Sequence, residues 1–560
     1  MFACTLLHGQ NEKDETVSIS VTIIDADSSE PIPYASIHNF NANRGTYSTI
    51  NGKAELLNNH VGDSIYISSV GYSKQLIVLE PNVKLDIIRL TVLTHDLATL
   101  TIHADDTYLY EKIEAVRKAR TQSSLSASSY FNLQTFDGTN QIELIECYYN
   151  GIYNDYAVQE LQLKQGRIAL KPFANRTFLS TEISKSICLH NAFESSDYFP
   201  HSPLEFSMKQ NRKKYWLSDG GRVTTDDGVV VQIVKFKPKS ADGHFFNGEL
   251  WIDEKSSEIV RIDLNLLDAQ SYPFVPIGYS DRLKNVNLHL TKNYGRHSGR
   301  MTLESVHFNY DLHYQTSDLQ DFTLNTQALL VAFDYNELFT LPVFQFSPAS
   351  YEDYVKINAT PYNANFWSNY RRFEIEEIKK VNEAFIANDS TITNQQHFFN
   401  DSTLRHSLLE RPYVIWNDTT SIRFRELVDD SVNYSKYQLR PPAERYHLEV
   451  QLYMDVNDYE GTLECTTATI FDPYKSYFYF PITAESNQFF NLYFDLAEQY
   501  RRKLERVNRA AQTASEMYLN YEKVHSTFEK TSKLFFKEVE RGNNTSAMKR
   551  WRDKIDSGEL

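Results

Sequence analysis

The sequence predicts a multidomain, mainly β chain, α+β overall, with a long helical segment at its C-terminal end. The chain has 36 Tyr and 34 Phe but only 19 Gly among 560 residues, and aromatic side chains favour pleated surfaces. Apolar and polar residues alternate in many segments before residue 350, as in strands with one buried face. Residues 487–541 lack Gly and Pro and carry apolar side chains every three or four positions, which predicts helix.

These patterns divide the chain into six parts, because 560 residues exceed what one hydrophobic core usually serves. A connector helix is expected at Tyr108–Arg120, and the Ser-rich Ser123–Ser129 is interpreted as a domain boundary. The predicted parts are a signal-like tail at 1–14, a β-sandwich at 15–95, a strand and connector helix at 96–129, an antiparallel β-rich domain at 130–350, a mixed helix, loop and strand region at 351–486, and a helical C-terminus at 487–560.

The first structured part begins with alternation from Val17 to Ile23, as a half-buried strand requires. Asp25–Pro31 predicts a turn, since Asp side chains and proline favour chain reversal. Calcium binding by these Asp residues is the less favoured alternative, because a distal Glu ligand at the required spacing is missing. Asn51-Gly52 then predicts a tight type I′ hairpin.

The order of these elements carries a family resemblance. Pro-Ile-Pro-Tyr-Ala at 31–35, Thr49 before Asn51-Gly52, Asp-Ser-Ile-Tyr-Ile-Ser at 63–68 and Val-Gly-Tyr at 70–72 closely resemble the carboxypeptidase regulatory-like domain, which is common in envelope proteins of Gram-negative bacteria. The resemblance covers about residues 15–95. It implies a seven-stranded, prealbumin-like (transthyretin-like) β-sandwich without catalytic function, because the name refers to a module that accompanies the catalytic domain.

Alternation continues through the predicted β-rich domain. Phe246–Asp253 followed by Glu258–Ile262 is similar to hairpins of periplasmic lipoprotein-carrier half-barrels, whose sheets wrap around an apolar cavity. The similarity is one hairpin long, so an ordinary antiparallel sheet is the preferred interpretation and a lipid cavity the alternative. Farther along, a helix is predicted at Glu374–Phe385, loops at 388–435 and a strand at Tyr446–Met454.

The C-terminal apolar stripe permits either one long helix or a helical hairpin that bends near Ala510–Ser515. We expect the stripe to pack on its own chain, with self-association through 487–541 as the alternative. The stripe consists of Phe489, Tyr493, Leu496, Tyr500, Leu504, Val507, Ala511 and Ala514.

The net charge of the chain and the apolar residues at its start indicate which partners it binds and where in the cell it is found. A net charge of −16 without a basic stripe argues against nucleic acid. No apolar run reaches the roughly 18–20 residues of a transmembrane helix. The apolar stub of Phe2, Ala3, Leu6 and Leu7 resembles the end of a secretory signal that starts upstream of Met1. We therefore expect export to the periplasm or outer membrane of a Gram-negative bacterium.

A search for catalytic motifs leads to a non-catalytic hypothesis. No His has a Glu three residues later, and HExxH, GxSxG, P-loop and CxxC motifs are all missing. His190 with Glu194, His201 with Glu205 and His406 with Glu410 have ligand-like spacing, but no third ligand accompanies them. We predict no catalytic residue, no cofactor-binding residue and no metal ligand.

The functional hypothesis is a binding or scaffolding protein of the cell envelope, with an unidentified envelope protein, a glycan or a lipid as its partner. The first alternative is an outer-membrane β-barrel protein that carries the sandwich in the periplasm. The second alternative is a peptide or glycan hydrolase whose site has no recognisable motif.

Overall fold

A computed structural model describes most of the chain. Among the described residues, no helix is both long and apolar enough to span a bilayer. The described part is 16–559 without 42–43, 50, 82–85, 94–105, 121–123, 155, 173–177, 226–227, 277, 279, 346–352, 371–381, 389, 394–412, 423–444 and 460.

The N-terminal part is a sandwich of two sheets, with strand orders β4-β1-β7 and β3-β2-β5-β6. Ile23, Ile37 and Ile67 are buried between the sheets, because alternate residues of each strand face inward. The predicted N-terminal sandwich is thereby confirmed. Its seven strands are β1 (Thr16–Asp25), β2 (Ser36–Asn39), β3 (Arg44–Tyr47), β4 (Lys53–His60), β5 (Ser64–Ser68), β6 (Gln75–Val78) and β7 (Ile87–Leu90).

The predicted hairpin at Asn51-Gly52 is wrong. β3 pairs with β2, whereas β4 pairs with β1, so this turn carries the chain from one sheet to the other. The Gly52 amide donates to the carbonyl of Thr49 at 2.9 Å. A Cβ at Gly52 would lie 2.4 Å from the carbonyl oxygen of Ile23, so glycine is needed here for close approach as well as for its φ of 73°. Asn-Gly signals a reversal but does not specify which strands pair across it.

A large antiparallel sheet confirms the predicted β-rich middle of the chain. Its order is β11-β12-β13-β14-β15-β16-β17-β8-β9-β10-β18. Strands β11 to β17 form a meander, and β8, β9 and β10, which come first in the chain, lie beyond β17 near the other end of the sheet. The boundary expected at Ser123–Ser129 is wrong, because small polar residues there belong to β8, which starts at Ser124. The elements are α1 (Thr107–Ala119), β8 (Ser124–Asp137), β9 (Asn140–Asn154), β10 (Val158–Leu170), α2 (Thr181–Leu189), α3 (Met208–Lys214), β11 (Tyr215–Thr224), β12 (Val230–Pro238), β13 (Asn247–Asp253), β14 (Ile259–Leu266), β15 (Arg282–His297), β16 (Arg300–Gln315), β17 (Asp321–Tyr335), α4 (Asp353–Ala359), α5 (Ala364–Asn369) and β18 (Ile392–Thr393).

Helices cover one face of the large sheet. Leu109, Ile113 and Val116 of α1 are fully buried in its core, at the spacing that the sequence predicts for the connector helix. Cys188 of α2 and Ile357 of α4 belong to the same buried cluster. We call this side the helix-covered face.

The C-terminal part pairs a small sheet, ordered β19-β21-β20, with three helices. α6 and α7 are separate helices, so the hairpin alternative is correct, and the Thr513 side chain caps α7 by accepting from the Glu516 amide at 3.2 Å. The elements are β19 (Val414–Ile415), β20 (Tyr446–Tyr459), β21 (Thr462–Phe478), α6 (Ala484–Asn508), α7 (Ala514–Val539) and α8 (Thr545–Ser557).

The C-terminal apolar stripe packs within the chain. Phe489, Leu496 and Leu504 are fully buried in a cluster that α6 shares with β20, β21 and α7. These side chains are therefore not available for the self-association that the sequence left as an alternative.

A buried ion pair joins the C-terminal part to the large sheet. The Lys164 ammonium on β10 donates to Asp455 on β20 at 2.5 Å, and both side chains are almost fully buried. Gln165 and Asn457 donate to the second carboxylate oxygen at 2.9 and 3.0 Å. Because both oxygens of the Asp455 carboxylate accept hydrogen bonds, the buried charges of this contact are compensated.

Some predictions concern residues outside the described part. These are the tail at 1–14, the strand predicted at Leu97–Ile102 within the 96–129 part, the pair His406 and Glu410, the helix at Glu374–Phe385 as far as residue 381, and most of the loops at 388–435.

Candidate functional site

β14, β15 and β16 place polar side chains on one face of the large sheet in three cross-strand rows. The intervening residues of the same strands, such as Ile262, Leu290 and Val306, point to the helix-covered face and are buried. We call the polar residues the polar grid. Its rows are Arg261–Asn293–Ser305, Asp263–Thr291–His307 and Asn265–His289–Asn309.

The N-terminal sandwich docks onto the face that carries the polar grid. The ring of Tyr34 stacks on the ring of His307, with centroids 4.1 Å apart. Tyr34 has a left-handed backbone with φ of 57°, a conformation that costs free energy for a residue other than glycine. Three further contacts flank this stack: Gly71 against Trp251, Tyr47 against Leu329 and Val331, and Leu93 against Val223 and Ile233.

Between these contacts lies a cleft of about 900 Å³. Sites for small ligands typically measure about 300–1,000 Å³, so the volume suits a ligand. The sandwich contributes Tyr34, Ser36, His38, Tyr72 and Lys74 to its lining. The polar grid contributes Arg261, His289, Thr291, Asn293, Ser305, His307 and Asn309.

Several charged groups of the cleft, among them Arg261 and Glu304, are paired within the protein. Arg261 Nε donates to Asp263 at 2.7 Å, and Thr291 donates to the same carboxylate at 2.6 Å. His297 Nε2 lies 2.8 Å from Glu304. A charged ligand would therefore have to compete with existing pairs, whereas a neutral ligand would not.

Two buried polar atoms in the lining lack a hydrogen-bond partner among the described residues. They are Nδ1 of His307 and Oδ1 of Asn293. The other polar atom of each side chain is used, because His307 Nε2 and Asn293 Nδ2 both lie 3.1 Å from Ser305 Oγ. His307 is only 4% exposed. An unsatisfied buried polar group costs about 1–3 kcal/mol, which favours a ligand that can hydrogen-bond here.

Burial changes the pKa values of three titratable rings in the cleft. It is the main cause that lowers the pKa of His307 to about 3, with smaller contributions from Arg261 and His289. Burial also lowers the pKa of His289 and raises that of Tyr34 to about 12. The cleft therefore presents mainly neutral donors and acceptors.

Ser305 and His307 are the arrangement in the cleft that most resembles a catalytic pair. Nucleophilic catalysis also needs a group that orients the histidine through its second nitrogen. His307 Nδ1 has no such partner among the described residues, and Ser305 Oγ is engaged by Asn293 as well. The geometry fits a binding surface better than a hydrolytic centre.

The structure does not assemble the two ligand-spaced pairs that it describes, His190 with Glu194 and His201 with Glu205, into a metal site. His201 Nδ1 lies 2.7 Å from Glu205, but Pro203–Glu205 is a 3₁₀ turn, as the proline indicates. His190 is buried against Phe199, while the Glu194 carboxylate accepts from Asn191. Within the described part of the chain, no group of three His, Cys, Asp or Glu residues could hold a metal ion.

The Asp residues considered for calcium serve the predicted turn. The Asp25 carboxylate accepts the amides of Asp27 and Ser28, both at 2.8 Å. Its other oxygen accepts the Tyr72 hydroxyl at 3.0 Å. Asp25 is thus committed to the sandwich, as the turn interpretation requires.

Sequence reasoning identified the polar face of the large sheet but not its role. Alternation at Val260–Leu266 and Val286–Leu290 predicts one wet and one buried face. Nothing in the pattern shows that the N-terminal sandwich, distant in the chain, covers the solvent-facing side, as Tyr34 covers His307. That contact is tertiary and leaves no local signal.

Comparison with known proteins gives limited information. No protein-family model matches the chain, and no curated protein matches it in sequence. Among solved structures, the chain is similar to a putative outer membrane lipoprotein-sorting protein domain from Vibrio parahaemolyticus, with 12% identity over 44% of this chain and 96% of that one and a TM-score of 0.18.

Two further solved structures are similar at the same level. One is the MucA/MucB complex of Pseudomonas aeruginosa, with 12% identity, 40% and 93% coverage and a TM-score of 0.16. The other is a putative membrane-associated protein of unknown function from Bacteroides fragilis, with 7% identity, 57% and 98% coverage and a TM-score of 0.11. TM-scores this low carry no argument about the fold or function of this chain.

Proposed function

We propose that this chain is a non-catalytic binding protein of the bacterial cell envelope and that the cleft between the sandwich and the polar grid holds its ligand. One observation carries the proposal: Asn293 Oδ1 and His307 Nδ1 are buried in the lining of a ligand-sized cleft and lack hydrogen-bond partners among the described residues. Other buried side-chain atoms of the described part also lack partners, so it is the position of these two atoms in the cleft that makes them candidates for binding a ligand.

The envelope location rests on sequence features. The apolar stub before Asn11 and the resemblance of residues 15–95 to carboxypeptidase regulatory-like domains both favour an exported protein. Seven strands in two sheets support the second feature, because that domain type has this number of strands. On that basis we propose that residues 15–95 form a domain of this type.

Equilibrium binding with the purified full chain tests the proposal. Neutral oligosaccharides, an unstructured peptide and phospholipid vesicles are titrated against the wild type and the double variant Asn293→Ala/Asn309→Ala. The control is Trp216→Ala, because Trp216 is 62% exposed and does not line the cleft. We expect at least one class to bind, with affinity lost in the double variant and retained in the control. Binding by no class, or binding that the double variant leaves unchanged, would contradict the proposal.

A second readout tests the non-catalytic part. Each bound ligand is incubated with the wild type and with Ser305→Ala and then analysed by mass spectrometry. We expect intact ligand from both proteins. Turnover by the wild type that Ser305→Ala abolishes would establish the hydrolase alternative instead.

A further inference from the structure

We propose that the ligand is a neutral, hydroxyl-rich oligosaccharide, held by the polar grid and by an aromatic strip at the mouth of the cleft. This inference rests on the proposed function, since it names the ligand class of the same cleft. We define the aromatic strip as His38 and Tyr66, which lie on the four-stranded sheet of the sandwich, and Phe40, which directly follows β2.

The aromatic strip is continuous with the cleft. His38 lines the cleft, its ring lies 4.8 Å from the ring of Phe40, and Phe40 lies 4.9 Å from Tyr66. Tyr66 also faces His38 directly across β2 and β5. The strip therefore leads from the polar floor of the cleft to the outside.

The outer end of the strip is exposed. Phe40 is 60% exposed and Tyr66 is 37% exposed. Leu76, the cross-strand partner of Tyr66, is exposed as well. Grouped exposed aromatic and aliphatic side chains commonly mark an interaction site.

The cleft and the strip together suit a sugar. A sugar ring has an apolar C–H face, which can pack on an aromatic ring, and hydroxyl groups at its edge, which both donate and accept hydrogen bonds. Tyr66 and Phe40 supply the rings. Asn293 Oδ1 and His307 Nδ1 supply buried atoms without protein partners among the described residues.

Other ligand classes fit less well. An extended peptide is usually bound along the edge of a sheet through its backbone, whereas the polar grid lies on β14–β16 in the interior of the sheet and offers side chains. An acyl chain would have to cover polar atoms of Asn293 and Ser305, at a desolvation cost. A polyanion would meet Arg261 already paired with Asp263.

Calorimetric titration of the full chain with three neutral hexasaccharides, cellohexaose, maltohexaose and chitohexaose, tests this inference. Oligogalacturonate serves as the anionic comparison. We expect saturable binding of at least one neutral hexasaccharide and weaker binding of oligogalacturonate. Tyr66→Ala and Asn293→Ala should each lower the affinity about tenfold, as loss of one ring or one buried hydrogen bond predicts. Trp216→Ala should leave it unchanged, and thermal unfolding verifies that each variant is folded.

The outcomes separate this inference from the proposed function. If none of the three neutral hexasaccharides binds, or if Tyr66→Ala and Asn293→Ala bind like the wild type, the oligosaccharide assignment is wrong. If the peptide or the vesicles bind instead and Asn293→Ala/Asn309→Ala abolishes that binding, the proposed function stands while the ligand class fails. If nothing binds in a cleft-dependent manner, both fail.

Discussion

The two faces of the large sheet have different neighbours although they belong to the same strands. On the helix-covered face, Ile262, Leu290 and Val306 are buried against helices of the same part of the chain. On the opposite face, the polar grid lies under the sandwich, with Tyr34 in contact and a cleft of about 900 Å³ beside it. The first face is filled by the protein itself. The second face is also filled over β8 and β9, where Phe366 of α5 packs on Tyr130 and Tyr148, but it leaves a cleft of ligand size over β14–β16.

One residue departs from this division. Lys292 lies on the helix-covered face between apolar neighbours and is fully buried, with its ammonium donating to the carbonyl of His190. Burial lowers the pKa of Lys292 to about 8 and that of His190 to about 3. Burial of the Lys292 ammonium therefore costs free energy on the helix-covered face, and the burial of the apolar residues around it offsets that cost.

The largest expected effect concerns the apolar side of β15. Leu290→Ala should lower the free energy of unfolding by about 2–5 kcal/mol, because it leaves a cavity in the core. Thr291→Ala, the adjacent residue on the polar grid, should cost only about 1 kcal/mol for one lost hydrogen bond. Chemical denaturation of the two variants measures both values. Equal losses would remove the distinction between the faces.

Lys292→Met should stabilise the protein at pH 7 by about 1–4 kcal/mol, because it replaces a poorly compensated buried charge. The pKa of Lys292 is about 8 in the folded chain against 10.5 when unperturbed. Between these values the unfolded chain binds more protons, so the contribution of Lys292 to stability should rise with pH. Buried Cys147 and Cys188 have raised pKa values and lower the stability of both proteins at high pH. Unfolding measured from pH 7 to 11 should therefore show the effect of Lys292 as a rise in the stability of the wild type relative to the variant. The same slope in both proteins would contradict it.

Two glycines of the sandwich give a matched test of its docking on the large sheet. Gly71 and Gly62 have φ of 93° and 91°, so alanine at either should cost about 1–2 kcal/mol of backbone strain. A Cβ at Gly71 would lie 2.9 Å from the Trp251 ring, whereas a Cβ at Gly62 meets nothing within 4 Å. Only Gly71→Ala should increase hydrogen exchange in β13, where Trp251 lies. An increase in both variants, or in neither, would argue against this docking contact.

A further expected effect is the acid dependence due to His307. Its pKa is lowered to about 3 from 6.5, so the unfolded chain binds more protons as the pH falls below 6.5. Stability should then fall by up to about 1.4 kcal/mol per pH unit for one histidine. His307→Gln should reduce this slope, and His190→Gln on the helix-covered face should reduce it separately. Unfolding curves from pH 4 to 7 measure both contributions.

Much of the fold could be predicted from the sequence. Alternation located the strands of the sandwich and the large sheet, and helical periodicity located α1, α6 and α7. The predictions that are wrong rest on local sequence signals that are compatible with more than one tertiary arrangement. Asn51-Gly52 turns the chain between sheets, and the serines after residue 123 are strand residues whose neighbours accept small side chains.

The candidate site was less accessible to prediction. Arg261, Asn293 and Ser305 are ordinary polar residues of alternating strands, separated by up to 44 positions. Their row depends on the register of β14, β15 and β16, and the cleft depends on the distant Tyr34. Neither register nor domain docking has a signature in a single sequence.

Thiol labelling on β16 tests most directly whether the two faces differ in this way. Asn309→Cys places a thiol in the cleft, and Val306→Cys places one on the helix-covered face of the same strand. Against the wild-type background, Asn309→Cys should react readily with iodoacetamide and slowly with a bulky polyethylene-glycol maleimide, because the sandwich covers the cleft. Val306→Cys should react with neither reagent until the protein unfolds. Equal labelling at both positions, or equally fast labelling of Asn309→Cys by both reagents, would contradict a ligand-sized cleft beneath the sandwich.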